Sequence, residues 1–349
     1  MIKIAKRFLA FCGAGILSLS LCACTSGQAK NNGLDISSAD SDVTIDLGPD
    51  LSGEDFSDYR VGVSLANCTL NTYNSSYVQA LNEAMAEYEV NTTVFDAFGD
   101  TGQQAAQIAT LISMDVDLIL LWPANSDTAV TWVQSINEAG IPVVTVNTDV
   151  SSEGEQYIQG YVGPSGVDEA YHTASQMVED LEGMGSVIGF FAQDNYAPVM
   201  ERRQGLKSAI AGTNVNLIEE YTNCTEQSIA ATYMAEFLKK HAIGEIDAVF
   251  CYDDECALGV LEAMDAADRS GEVKVYVAAT GTYDSLSYIE DGMIAATAIQ
   301  SPIVDARTAV NHSLNLLLGN SLPEFHTYIS TPIITSDNVN SLNLTPWSS

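Results

Sequence analysis

Basic residues are scarce in this 349-residue chain: 13 Lys and Arg stand against 46 Asp and Glu, for a formal net charge of −33. A chain this acidic repels phosphate backbones and anionic lipid headgroups, since binding either needs clustered Lys and Arg. Nucleic acid is therefore excluded as a partner, and any hold on a membrane must come from something other than surface charge. Solubility is the ordinary use of such an acidic excess. Histidine is rarer still. His172, His241, His312 and His326 are scattered without metal-site spacing. The seven cysteines contain no CxxC pair. There is no GxSxG, HExxH or phosphate-loop motif. Gly183-Met184-Gly185 precedes a strand instead of following one, so it reads as a turn, not a dinucleotide loop. Asp253-Asp254-Glu255 sit side by side at a helix start and do not converge on one ion. The expectation is a non-enzyme without cofactor or metal.

What the chain does have begins at its start. Lys3, Lys6 and Arg7 precede an apolar run from Phe8 to Leu21 that ends in small residues, the pattern of a secretory signal. The run is short for a membrane span, which needs about 20 residues. Leu21-Cys22-Ala23-Cys24 resembles the bacterial lipobox, which implies cleavage before Cys24 and a lipid on that cysteine. The plainer alternative is an ordinary cleaved signal with a chance cysteine. Residues 1–23 are thus expected to be a lipoprotein signal peptide. Residues 24–58, rich in Ser, Gly, Asn and Asp, are expected to be a disordered tether. Of the cysteines beyond Cys24, Cys68, Cys224, Cys251 and Cys256 read as buried free thiols, although a Cys251–Cys256 disulfide is open on spacing.

From Tyr59 onward apolar strands alternate with amphipathic helices. Val61–Leu65, Thr92–Phe95, Asp117–Trp122, Gly140–Val146 and Tyr157–Val162 read as strands, separated by helical patterns such as Val78, Leu81, Met85 and Tyr88. A second round starts near Ser165 and carries strands at Ser186–Phe191, Asn216–Ile218, Asp247–Phe250, Val273–Val277 and Ile294–Ile299. A long helix follows at about 303–318. Continuous apolar strands between helices predict parallel sheets covered on both faces. Two rounds predict an α/β protein of two doubly wound parallel-sheet lobes, with ligands at the carboxyl ends of the strands.

Several segments resemble one family. Gly140-Ile-Pro-Val-Val-Thr-Val-Asn-Thr-Asp149 is similar to the "GIPVV…D" segment of periplasmic-binding-protein-like sugar receptors, the group of ribose- and galactose-binding proteins. Phe250-Cys-Tyr-Asp-Asp-Glu-Cys-Ala-Leu-Gly259 resembles their "NDxxAxG" junction, Glu201-Arg-Arg-Gln-Gly205 their "ERxxG" stretch, and Ala296–Gln300 the strand leading to a lobe crossing. The order matches the family from about 59 to 335. The resemblance implies a type I periplasmic binding protein fold with a three-crossing hinge. One lobe would take 59–164 plus about 302–326, the other 165–301 plus about 327–349. It also implies a monosaccharide or similar polyol as ligand, an ABC transporter permease as partner and a monomer anchored outside the cytoplasm by lipid alone. The same fold bound to a nucleoside, autoinducer or other small polar ligand, or presenting ligand to a sensor kinase, is the alternative.

Sugar hydroxyls both donate and accept, so planar polar side chains can bridge them while aromatic rings cover the apolar face. By alignment Arg202 is the sugar-binding arginine, unless it is a surface ion pair with Glu201. Asp253 is the ligand carboxylate, with Asp254 as helix N-cap. One of Asn147 and Asp149 reaches the ligand, unless both serve the turn. Gln300 is the hinge glutamine. Tyr73 and Tyr77 lie near the family's stacking aromatics, although Tyr77 fits the helix core equally. Asp100 falls near a polar contact, and Trp122 ends a strand at the cleft or fills the core. Thr280 stands where ribose receptors carry an aspartate and cannot make the same charged pair, which puts ribose itself in doubt.

Overall fold

From Tyr59 onward the apolar runs become strands with amphipathic helices beside them, although the strand expected from Tyr157 begins only at Gly160, because Glu155–Tyr157 forms a 3-10 turn. A computed structural model describes residues 48–341 apart from Asn195, and excludes the side chain of Thr280. These residues belong to one compact unit, Ala39–Ser349. Cys24 and the expected signal peptide lie outside the described residues.

In the first lobe, β1 (Arg60–Leu65), β2 (Asn91–Asp96), β3 (Leu118–Leu121), β4 (Val143–Val146) and β5 (Gly160–Gly163) alternate with α1 (Thr72–Glu87), α2 (Thr101–Ser113) and α3 (Ser126–Glu138). In the second, β6 (Met184–Phe190), β7 (Asn214–Tyr221), β8 (Ala248–Cys251), β9 (Lys274–Thr280) and β10 (Ile294–Ile299) alternate with α4 (Gly166–Asp180), α5 (Ala197–Ile210), α6 (Gln227–Lys240), α7 (Asp254–Ala266) and α8 (Tyr283–Glu290). The chain then forms α9 (Pro302–Leu317), β11 (His326–Tyr328) and β12 (Ile333–Thr335).

Among the described residues two six-stranded sheets form, ordered β11-β5-β4-β3-β1-β2 and β12-β10-β9-β8-β6-β7. Pairing is parallel except where β12 runs against β10. Every residue of β3, β4 and β8 is buried, as expected of strands covered by helices on both faces.

The chain crosses between lobes three times. It passes from β5 to α4, which packs on β9 and β10; from β10 to α9, which packs on α1 and β5; and from β11 to β12. The first sheet keeps the chain through Tyr328, because His326–Tyr328 pair with Tyr161–Gly163. The expected boundary after 326 therefore falls inside a strand.

The tether expectation is corrected at its end. Leu51 and Phe56 are buried in the first lobe's core. The Phe56 ring lies 6.1 Å from that of Tyr59 and 5.9 Å from that of Tyr88. Asn311 Nδ2 donates to the Pro49 carbonyl at 2.9 Å. A segment poor in large apolar residues is thus fastened by the few it has.

Candidate functional site

The strand ends of both lobes meet in a cavity of about 410 Å³, within the usual range for small-molecule sites. Tyr73 and Asn74 at the start of α1, Trp122 after β3 and Asn147 after β4 supply the first lobe's wall. Glu169 on α4, Glu201 and Arg202 on α5, Tyr252 and Asp253 after β8, and Gln300 after β10 supply the second.

Asn147 sits in the left-handed region at φ 58°, which Asn tolerates because its short side chain bonds locally. Tyr161 Oη donates to its carbonyl at 2.9 Å. Its Nδ2 donates to Asp305 Oδ2 at 2.8 Å and to Tyr73 Oη at 3.2 Å. Tyr73 Oη in turn donates to Asp305 Oδ2 at 2.7 Å. Both amide hydrogens being committed, Asn147 offers Oδ1 as acceptor. Burial pushes Asp305 up to about 7, although the bonds from Asn147 and Tyr73 pull the other way. Its Oδ1 is buried without a hydrogen-bond partner.

Across the cleft Arg202 is held on all sides. Its Nε and Nη2 donate to Glu169 Oε2 at 3.2 and 3.0 Å, its Nη1 to the Tyr252 carbonyl at 3.0 Å, and Nη2 also to Gln300 Oε1 at 2.8 Å. The guanidinium lies 4.6 Å over the Tyr252 ring. Burial works against its charge, but Glu169, then Tyr252 and Asp253, more than offset this, and Arg202 is held above its ordinary value. Burial pushes Glu169 up to about 7 even beside the guanidinium. Gly205, one turn along α5, lets the two helices approach. A Cβ there would strike the Val167 carbonyl and stand 2.7 Å from the Tyr171 amide of α4. Burial, and then Asp305, push the Tyr73 hydroxyl well up, with Gln300 pulling the other way. The bonds run from Glu169 through Arg202 to Gln300 in the second lobe, and from Tyr73 through Asp305 to Asn147 in the first.

Tyr73, Asn147, Arg202, Asp253 and Gln300, expected from sequence, are brought together at this cavity. Trp122 joins them, its ring edge-on to Tyr73 at 6.4 Å and to Tyr77 at 5.1 Å. Tyr77 does not line the wall: it is 0% exposed and braces Trp122 from the core. Asp100 is drawn away by the orphan amides of α2, accepting from Gln103 N as its N-cap. Asp149 faces a neighbouring cavity of about 230 Å³. Its oxygens there take Thr145 Oγ1 at 2.6 Å, the Val150 amide at 2.7 Å and the His326 ring at 3.1 Å. The expected roles of Asp253 and Asp254 change. Asp253 both lines the cavity and caps α7, accepting from Cys256 N at 3.0 Å. Asp254 instead takes the Gly281 and Thr282 amides at 3.1 and 2.7 Å. Arg202 pairs with Glu169, not Glu201. The Thr280 side chain lies outside the described residues. Cys68, Cys224, Cys251 and Cys256 are free thiols.

Sequence reasoning missed Glu169 and Asp305. Both sit in the first turn of a helix, where an acid is ordinarily explained by the helix dipole. No local signal separates the two cases.

Two parallel-sheet lobes, joined by three crossings and enclosing a polar cleft at their strand ends, define the architecture of a two-lobed solute receptor. The chain belongs to the family described as periplasmic binding protein domain, which matches residues 61–321. It is 26% identical over 276 residues to the ribose import binding protein of Bacillus subtilis, covering 79% of this chain and 86% of that one. It is 24% identical over 342 residues to a xylitol-binding protein of Mycolicibacterium smegmatis, covering 97% and 88%. Among solved structures, an ABC transporter solute binding protein from Bacillus halodurans with bound myo-inositol superposes with a TM-score of 0.73 at 24% identity, covering 82% of this chain and 98% of that one.

Proposed function

We propose that this chain is an extracytoplasmic receptor that captures a monosaccharide or similar polyol in its interlobe cleft, without turnover, and delivers it to an ABC transporter permease. The observation that carries this reading is a cavity lined from both lobes by fixed, planar polar groups beside an indole. Asn147 Oδ1 serves as acceptor for one hydroxyl. Asp253, with one oxygen on the Cys256 amide, accepts from another. The guanidinium keeps a single uncommitted hydrogen on Nη1, since its other donors are engaged. Trp122 covers the C–H face of the ring. The groups are pre-positioned by the buried network behind them, which reduces the ordering cost of binding. Relatives named for ribose and xylitol support this ligand class.

Closure is a hinge motion about the three crossings, and a ligand bonded to both lobes favours the closed form. In the same reading Cys24 carries a lipid and the monomeric receptor is tethered beside its permease. A thermal-shift screen over pentoses, hexoses, polyols and their amino derivatives tests capture. A ligand at one hundred times its Kd stabilises the fold by about 2.7 kcal/mol, and no response to any of them sinks the proposal. Mass spectrometry of membrane-extracted protein tests the anchor, and an unmodified N-terminus contradicts it.

A further inference from the structure

We propose that the ligand of this cleft carries an amine: a sugar or cyclic polyol bearing a primary ammonium group. This rests on reading the cleft as a polyol site and names the ligand's charge.

Among the described residues the first lobe's wall contributes no ionisable cation; it offers Asn71, Tyr73, Asn74, Trp122 and Asn147 with apolar neighbours. The second lobe contributes five carboxylates (Glu169, Glu201, Glu226, Asp253 and Glu255) against the single guanidinium of Arg202. That guanidinium is already matched, two of its bonds going to Glu169. Glu226 and Glu255 are exposed at the rim and solvated. Glu201 and Asp253 are largely withdrawn from water, and no salt bridge to either is present among the described residues.

An independent observation points the same way. Glu169 is 0% exposed and lines the cavity, yet its Oε1 takes no hydrogen bond while Oε2 takes two. That oxygen has no surface open to the cavity, so it adds incompletely matched negative charge behind the wall and not a direct contact. A hydroxyl brings one donor and no charge. An ammonium brings three donors and the charge that a desolvated carboxylate set lacks. A bare metal ion is a poorer fit, since no group of three or more metal-ligating side chains converges among the described residues.

Titration agrees with this. Burial pushes Asp253 up to about 6 and Glu201 upward. The charged groups around them are Arg202 on α5, which favours ionisation, and Asp254, Glu255, Asp149 and His326 from the neighbouring elements. Carboxylates raised in this way release protons when a cation settles among them.

The test is isothermal calorimetry on the full chain at pH 7.5 with matched pairs: glucosamine and glucose, galactosamine and galactose, an aminocyclitol and myo-inositol, each amine also N-acetylated. The expected result is at least one amine binding tenfold or more tighter than both its hydroxyl and its N-acetyl counterpart. In Glu201→Gln/Asp253→Asn that ratio is expected to fall toward one. Should the double variant not fold, Glu201→Gln and Asp253→Asn are tested singly; a ratio lowered in either supports the inference, and a ratio unchanged in both overturns it. Neutral sugars or polyols binding as tightly as their amines overturns the inference and leaves polyol capture standing. Absence of binding by every compound defeats both.

Discussion

Asp305→Asn isolates one buried charge from the shape that surrounds it. Asp305 lies on α9 beneath the cleft, 0% exposed, and its Oδ2 takes Tyr73 and Asn147. Burial moves its carboxyl from 3.8 in the unfolded chain up to about 7 in the fold. Because the folded value is the higher, the native state holds its proton while the unfolded chain gives it up. Stability from this group is fully present below 3.8 and is lost as pH rises to about 7. A difference of about 3 in pKa, at roughly 1.4 kcal/mol each, makes the whole loss ~4 kcal/mol. Between pH 5 and 8 the share is roughly 3 kcal/mol. Asparagine keeps the acceptor for Tyr73 and cannot ionise. Urea unfolding at pH 5 and pH 8 should therefore show the native chain losing roughly 3 kcal/mol more than the variant over that interval. Parallel pH profiles for the two proteins would refute the reasoning, since Asp305 would then ionise as readily in the fold as out of it.

Phe56→Ala should cost about 3–5 kcal/mol in urea unfolding, as for other buried aromatics, and truncation of residues 1–58 should destabilise far more than truncation of 1–47. Gly205→Ala should cost about 1–3 kcal/mol, because the added methyl meets the α4 backbone; a cost near zero would mean that the helices yield freely. The thiols of Cys251 and Cys256 are pushed up by burial, and that of Cys68, by burial and then Asp96, up to about 12. Iodoacetamide at pH 8 should leave them unmodified until denaturant is added, as read by intact-mass spectrometry.

The architecture was legible because both periods are strong. Leu118–Leu121 is apolar throughout and Val143–Val146 is apolar but for Thr145; both are bounded by turns, and the helices between them keep one apolar face. Asp253, Asn147 and Gln300 were legible because they follow strands, where such sheets present side chains, and Arg202, which lies within α5, through the resemblance of its Glu201–Gly205 stretch. Tyr77 and Asp100 show the limit. Each lies within a few residues of the correct strand end, but one turn of helix decides between cleft and core, and an N-cap competes for any aspartate at a helix start. Glu169 and Asp305 were illegible because their meaning depends on partners 33 and 158 positions away in the chain, Arg202 and Asn147. Phe56 was hidden by its neighbours: a polar stretch reads as a tether even when a few of its residues hold it in a core.

The return of the chain through α9 and β11 sets the order in which the molecule can be made. The first sheet is not complete until Tyr328 has been synthesised, and the second not until Thr335. Neither lobe is a continuous stretch that can finish folding while the rest is still being made. A nascent chain of this design keeps both sheets incomplete until β11 and β12 have been made. It also means that a premature stop after Ile299 leaves neither half closed and exposes the surfaces of both.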